Sequence, residues 1–204
     1  MVIVGIVGGV ASGKSLVTEQ LRKFGAVIID ADRIGHKVLE KADVKTDLHK
    51  TWGAKVFDEH GLVCRKKLAA CVFGTTKNVR SELEKLERIT HPHISAHLQD
   101  CIANLKKEDK VDVVVLDAAI MFKTGWNNFC DKILFVKADD PVRMNRAQSQ
   151  RDWSSTEFNT REASQTPIKE KLLRADAVID NNGTIEQTCW QIKQFYESLN
   201  IERS

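Results

Sequence analysis

The sequence contains no apolar run approaching the roughly 20 residues that a membrane helix needs, which excludes a helical membrane span. No basic residue precedes the apolar start Val2-Ile3-Val4, so a signal peptide is not expected. The five cysteines (Cys64, Cys71, Cys101, Cys130 and Cys189) are odd in number and include no C-x-x-C pair. They read as free, mostly packed thiols in a reducing cytoplasm. The net charge is only +3, too slight to argue for nucleic acid, although it suits a small polyanionic substrate. The four tryptophans are scattered and not interleaved with basic residues, so they form no base-stacking platform. There is no internal repeat and no low-complexity tract. What remains is ordinary for a globular chain, with 42% hydrophobic and 29% charged residues over 204 positions. That length allows one domain with inserts or two small ones.

The stretch that organises the chain is Gly8-Gly9-Val10-Ala11-Ser12-Gly13-Lys14-Ser15, with the spacing G-x-x-x-x-G-K-[ST] of a phosphate-binding loop. Val2 to Val7 before it reads as a buried strand. Leu16, Val17, Leu21 and Phe24 after it keep helical spacing. Glycines let the backbone approach a ligand closely. The loop amides then converge on phosphate oxygens at the positive end of the helix. Lys14 supplies a point charge for the β- and γ-phosphates, and the Ser15 hydroxyl suits Mg²⁺, a cation that prefers oxygen. Gly8, Gly9, Ala11, Ser12, Gly13, Lys14, Ser15 and Leu16 are therefore the candidate nucleotide-binding residues.

Gly25 fits a left-handed cap on the first helix. The strand Ala26 to Ile29 then delivers Asp30-Ala31-Asp32 at its carboxyl end, the edge where ligands bind in open parallel sheets. Asp30 can be a helix cap or part of the chemistry, whereas Asp32 is read as chemical. Residues 33–110 show no convincing strand. Helical patterns there are punctuated by Gly53, Gly61 and Gly74, and Pro92 should break or kink the long run from Leu83 to Leu105. This segment reads as a helical insert, with 1–32 and 111–204 forming the core.

The sheet resumes at Val111 to Leu116 and ends in Asp117, in the manner of the second acidic motif that serves Mg²⁺ in phosphate-loop enzymes. Lys132 to Val136 and Ala177 to Ile179 complete five strands, and a last helix should bury Ile185, Ile192, Phe195 and Leu199. Strands alternating with helices imply an α/β fold, a three-layer α/β/α arrangement around a five-stranded parallel sheet. Between the last two strands, a polar segment within about 143–167 carries Arg143, Arg146, Arg151 and Arg161. It reads either as a helix running into a mobile loop, a lid closing arginines over phosphates, or as a solvated amphipathic helix.

Two weaker signals are set aside. His93 and His97 stand four apart near His91, but no third ligand with metal spacing is evident. Asp58-Glu59-His60-Gly61 matches the D-x-x-G of GTPase switches, yet no N-K-x-D follows.

Taken in order, these segments resemble the dephospho-coenzyme A kinase family across nearly the whole chain. The resemblance rests on the phosphate loop, Ile29-Asp30-Ala31-Asp32, Gly61-Leu62-Val63-Cys64-Arg65 with Leu68 and Phe73, His91-Pro92 after Leu86-Glu87, and Val115-Leu116-Asp117. It continues through Arg146, Arg151, Arg161 and Gln165 to Ala175-Asp176-Ala177-Val178-Ile179-Asp180-Asn181-Asn182-Gly183. The Asp-Ala-Asp, His-Pro and Asn-Asn-Gly segments are the specific part. The chain departs where the family has Pro-Leu-Leu and a Glu, carrying Ala119-Ile120-Met121-Phe122-Lys123 instead, and where Leu16 replaces a threonine.

The resemblance implies ATP and Mg²⁺ as cofactors and transfer of the γ-phosphoryl group to the ribose 3′-hydroxyl of dephospho-coenzyme A. It implies Asp32 facing that hydroxyl, Arg65 and His91 in the insert touching the substrate, and Arg146 and Arg151 neutralising charge in transfer. It also implies Mg²⁺ at Ser15, with Asp117 one shell further out. The implied protein is a cytoplasmic monomer, with self-association left open and with no nucleic-acid or membrane partner. Two other readings stay open: a kinase of another hydroxylated small molecule, and an ATP-driven regulatory or nucleic-acid-handling protein.

Overall fold

A computed structural model describes residues 1–73 and 79–199; Gly74, expected to punctuate two helices, lies outside them. Five strands, β1 (Val2–Gly8), β2 (Val27–Asp30), β3 (Val113–Asp117), β4 (Lys132–Lys137) and β5 (Ala177–Asp180), form one sheet in the order β2-β3-β1-β4-β5. All four pairings are parallel. The helices are α1 (Lys14–Lys23), α2 (Ala31–Val38), α3 (Ala42–Trp52), α4 (Arg65–Phe73), α5 (Val79–Glu108), α6 (Met121–Thr124), α7 (Asp140–Arg151), α8 (Ser155–Ala163), α9 (Ile168–Leu173) and α10 (Ile185–Ser198). No described helix is long and apolar enough to cross a membrane.

Strand composition accounts for strand position. β1 and β3 are mostly Val, Ile and Leu and almost wholly buried, β4 buries Ile133 to Val136 between exposed terminal lysines, and the edge strands β2 and β5 are shorter and partly exposed. A strand covered on both faces has to be apolar throughout, because neither face meets water. Val17 and Leu21 of α1 and Ile192 of α10 close one cluster with Val4, Ile6, Val115, Leu134 and Ile179. Phe195 and Leu199 pack against it as expected. Ile185 does not: it is 62% exposed. It opens α10 directly after the Thr184 cap, and the burying stripe begins only further along the helix, at Thr188 and Ile192.

The chain divides into two compact units, Met1–Asp30 with Ala103–Ser204, and Ala31–Ile102. The first holds the sheet. The second is helical, and among the described residues its only β pairing outside the sheet is the isolated bridge Phe57–Val63. Its interior is apolar at helical spacing: Ala31, Ile34 and Val38 from α2, Val44, Leu48 and Trp52 from α3, Leu68 and Val72 from α4, and Ile94, Leu98 and Ile102 from α5. The Trp52 indole donates to the Glu82 carboxylate at 2.6 Å. Pro92 does not break α5, which runs on through it for 30 residues. Pro92 is exposed whereas Thr90, Ile94 and Leu98 are buried. The missing amide bond therefore falls on the side where water can serve the freed carbonyl.

Candidate active site

The loop between β1 and α1 is built as its spacing requires. Gly13 has φ 95° and Ala11 φ 56°, left-handed conformations that cost a non-glycine residue stability. A Cβ on Gly13 would run into the Asn181 amide, and one on Gly9 into the Arg143 guanidinium. These glycines are thus needed for close approach from behind the loop as much as for their own backbone.

What approaches from behind is a ring of buried polar side chains. Arg143, 2% exposed, donates to the Val10 carbonyl at 3.1 Å, to Glu162 at 2.7 Å and to Asp140 at 2.7 Å. Glu162 in turn accepts the Val10 amide at 2.9 Å, so the peptide units on either side of Val10 are both held. Asn181 donates to the Ser12 carbonyl at 2.8 Å and accepts from Thr188 at 3.0 Å. Lys171, also 2% exposed, donates to the Gly8 carbonyl at 3.0 Å and to Gln165 at 2.7 Å. Asp180 orders the turn that carries Asn181: it accepts from the Asn182 amide at 3.0 Å and pairs with Lys137 at 3.2 Å. These partners hold its carboxyl below the ordinary range, the Asn182 amide most of all. Carbonyls tied down on one side fix the orientation of the loop's peptide units. Lys14 reaches across the loop to the Gly9 carbonyl at 3.5 Å, and the Leu16 amide closes the first turn of α1 on Gly13 at 3.0 Å.

The four arginines of the expected lid separate into three environments. Arg143 is part of the clamp just described and, being buried and multiply bonded, is not available to close over a ligand. Arg146 donates to the Asn181 carbonyl at 2.9 Å and to the Ser12 carbonyl at 3.4 Å. Arg151 and Arg161 lie over the Trp153 ring, 4.9 and 4.1 Å from its centroid, and Arg161 also pairs with Glu157 at 2.9 Å. α7 ends at Arg151, and three residues link it to α8.

Two acids meet at the carboxyl edge of the sheet. Asp30 closes β2 and Asp117 closes β3 as Cα partners, and Asp117 is also the partner of Ile6 in β1. Ser15 is exposed in the first turn of α1. Asp32, Arg65 and His91 belong to the helical unit. Asp32 is exposed in the first turn of α2, with His36 one turn further along the same face. The Arg65 guanidinium lies 3.1 Å from His36 Nδ1. Because a guanidinium only donates, that nitrogen must be an unprotonated acceptor. His91 is half-buried on α5, and His93 faces Asp43 at 3.7 Å. Among the described residues no cluster of three or more metal-ligating side chains is present.

The sequence reading missed Lys171, Glu162 and His36. Lys171 and Glu162 stand in charge-rich helices indistinguishable by pattern from solvated ones. His36 was detectable only as the i+4 neighbour of Asp32. Ala119 and Ile120 lead into α6, which carries Lys123, and the structure offers no account of the family's Pro and Glu being replaced there.

A five-stranded parallel sheet in this order, with a clamped G-x-x-x-x-G-K-S loop between β1 and α1, defines a phosphate-loop kinase fold. The backbone resembles a solved protein from Thermus thermophilus with a TM-score of 0.82, at 26% identity over 98% of this chain and 97% of that one. The sequence model of the dephospho-CoA kinase family matches residues 2–187, and the chain belongs to that family. It is 35% identical to the dephospho-CoA kinase of Fusobacterium nucleatum, over 98% of this chain and 99% of that protein. It is 36% identical to that of Aquifex aeolicus, over 96% of each.

Proposed function

We infer that this protein phosphorylates the ribose 3′-hydroxyl of dephospho-coenzyme A with ATP, in the cytoplasm. The observation that carries the reading is the phosphate loop, clamped through its carbonyls, in a chain that belongs to the dephospho-CoA kinase family along nearly its full length. Residues Gly8, Gly9, Ala11, Ser12, Gly13, Lys14, Ser15 and Leu16 hold the phosphates, with Lys14 on the β- and γ-groups. The Ser12 hydroxyl is buried and, among the described residues, has no hydrogen-bond partner. A phosphate oxygen supplies what it lacks.

The Ser15 hydroxyl and the Asp117 carboxylate are oxygen donors, the class Mg²⁺ takes, so the residues present fit the ion. When bound, it neutralises phosphate charge. Asp32 orients the acceptor hydroxyl and accepts its proton. Arg65, steadied by His36, and His91 take part in holding the substrate. Arg146 and Arg151 offset charge on the group in transfer, Arg151 after leaving Trp153. In a loose transition state the proton departs late, so orientation by Asp32 counts alongside basicity.

The test is ADP release with and without dephospho-coenzyme A and with a panel of other hydroxylated acceptors. The reading expects release that depends on dephospho-coenzyme A. Equal release without any acceptor would mark an ATPase, and preference for another acceptor a different kinase.

A further inference from the structure

Lys171 is a buried cation whose role the loop motif does not explain. It projects from α9 onto the last residue of β1, where its bond to the Gly8 carbonyl is buried and its bond to Gln165 partly so. A buried ammonium is costly to keep, and an apolar residue would fill the same space more cheaply. Three charged groups from three other helices act on it. Lys14 of α1 and Arg143 of α7 repel it, and Glu162 of α8 attracts it. Burial is the largest influence and the Lys14 ammonium the next, and together they lower the Lys171 pKa from its ordinary value to about 8.

We propose that Lys171 is a positioning residue for nucleotide binding: it anchors the Gly8 carbonyl to Gln165 and lends a fixed positive charge to the phosphates bound in front of the loop. This rests on the reading that the loop holds ATP. An anion placed at Lys14 offsets the repulsion between the two ammonium groups. Binding ATP therefore favours protonated Lys171, and by reciprocity protonated Lys171 favours ATP. The sign follows. Below about pH 8 Lys171 is already charged in the free protein, and affinity is insensitive to pH. Above it, ATP must bind together with a proton, and affinity falls as pH rises.

The experiment is calorimetric titration with Mg-ATP from about pH 7 to about pH 9.5, a range in which phosphate groups with a pKa of about 6 are already ionised. It compares wild type, Lys171→Arg and Lys171→Met, each checked for folding by circular dichroism. The wild-type Kd should rise by roughly tenfold across the range, since one linked proton allows up to tenfold per pH unit. Lys171→Arg should bind like wild type at the low end and lose most of the rise, because a guanidinium stays charged. Lys171→Met should be weakened by roughly tenfold at the low end and be flat in pH. A flat wild-type profile overturns the proposal without any variant. So does an unchanged rise in Lys171→Arg, or wild-type affinity in Lys171→Met. If one variant does not fold, the other decides against wild type. Absence of ATP binding by wild type at any pH overturns the proposed function instead.

Discussion

The interiors of the two units are made of different chemistry. The helical unit buries Ile, Leu, Val and Trp side chains, with Thr90 as its buried polar residue among those described. The sheet-bearing unit buries the same apolar kinds and in addition Ser12, Thr18, Arg143, Lys171, Asn181 and Thr188. All of these except Thr18 belong to the phosphate loop or the ring behind it. Thr18 donates to the Lys14 carbonyl at 2.9 Å, one turn into α1. Buried polar groups are expensive unless each is satisfied, so a unit accumulates them only where a backbone must be held in a conformation that apolar packing does not specify. In the helical unit, Asp32, His36 and Arg65 are exposed on apolar scaffolding. Substitution there should alter recognition with little effect on stability, whereas substitution in the ring should alter both.

The strongest break in that comparison is Lys14→Ala. It removes the charge proposed for the phosphates and should abolish measurable transfer while leaving the fold intact, as turnover and circular dichroism would show; wild-type turnover in the purified variant would refute the site.

Asp32→Asn should come next. It keeps the shape and one acceptor but cannot take a proton, so turnover at saturating substrates should fall by about 10²- to 10⁴-fold. ATP affinity and melting temperature should stay near wild type. Loss of ATP affinity together with Mg²⁺ dependence would move Asp32 to the metal site.

Arg143→Met tests the ring from the stability side. Removing one partner of a buried ion pair costs about 3–5 kcal/mol, and here it leaves Glu162 with the Val10 amide alone of these two contacts. Denaturant unfolding should show a loss of that order, with weaker ATP binding in whatever remains folded. A stable Arg143→Met protein with normal ATP affinity would erase the distinction between the two interiors. The smallest effect is expected at Ile185, where Ile185→Ser should change stability by less than about 0.5 kcal/mol. A larger loss would mean that this exposed side chain is covered in the working protein.

The parts of the site that are local in the chain were legible in advance. Gly8 to Ser15 reads as a loop because its glycines, lysine and serine act at fixed spacing within one turn. Asp30 and Asp117 read as edge acids because apolar runs precede them, and they close β2 and β3 as partners. The arginines were not separable. Arg143, Arg146, Arg151 and Arg161 look alike in a polar segment, yet one is clamped under Val10, one bridges Ser12 and Asn181, and two lie against the Trp153 ring. Pro92 misled for a related reason. Its cost in a helix depends on whether it faces core or water, which only the partners of α5 decide.

Sequence by itself determined the strands, the loop and the family, because apolar periodicity and the loop's spacing are properties of adjacent residues. Tertiary structure alone decided which charges enter the interior. Lys171 and Gly8 stand 163 positions apart, Arg143 and Val10 133 apart, and no local pattern distinguishes a lysine that will lie behind the loop from one that will face water. The desolvation that lowers the Lys171 pKa to about 8 arises only once α9 is laid against β1, so it is a property of the packed chain and of no segment within it.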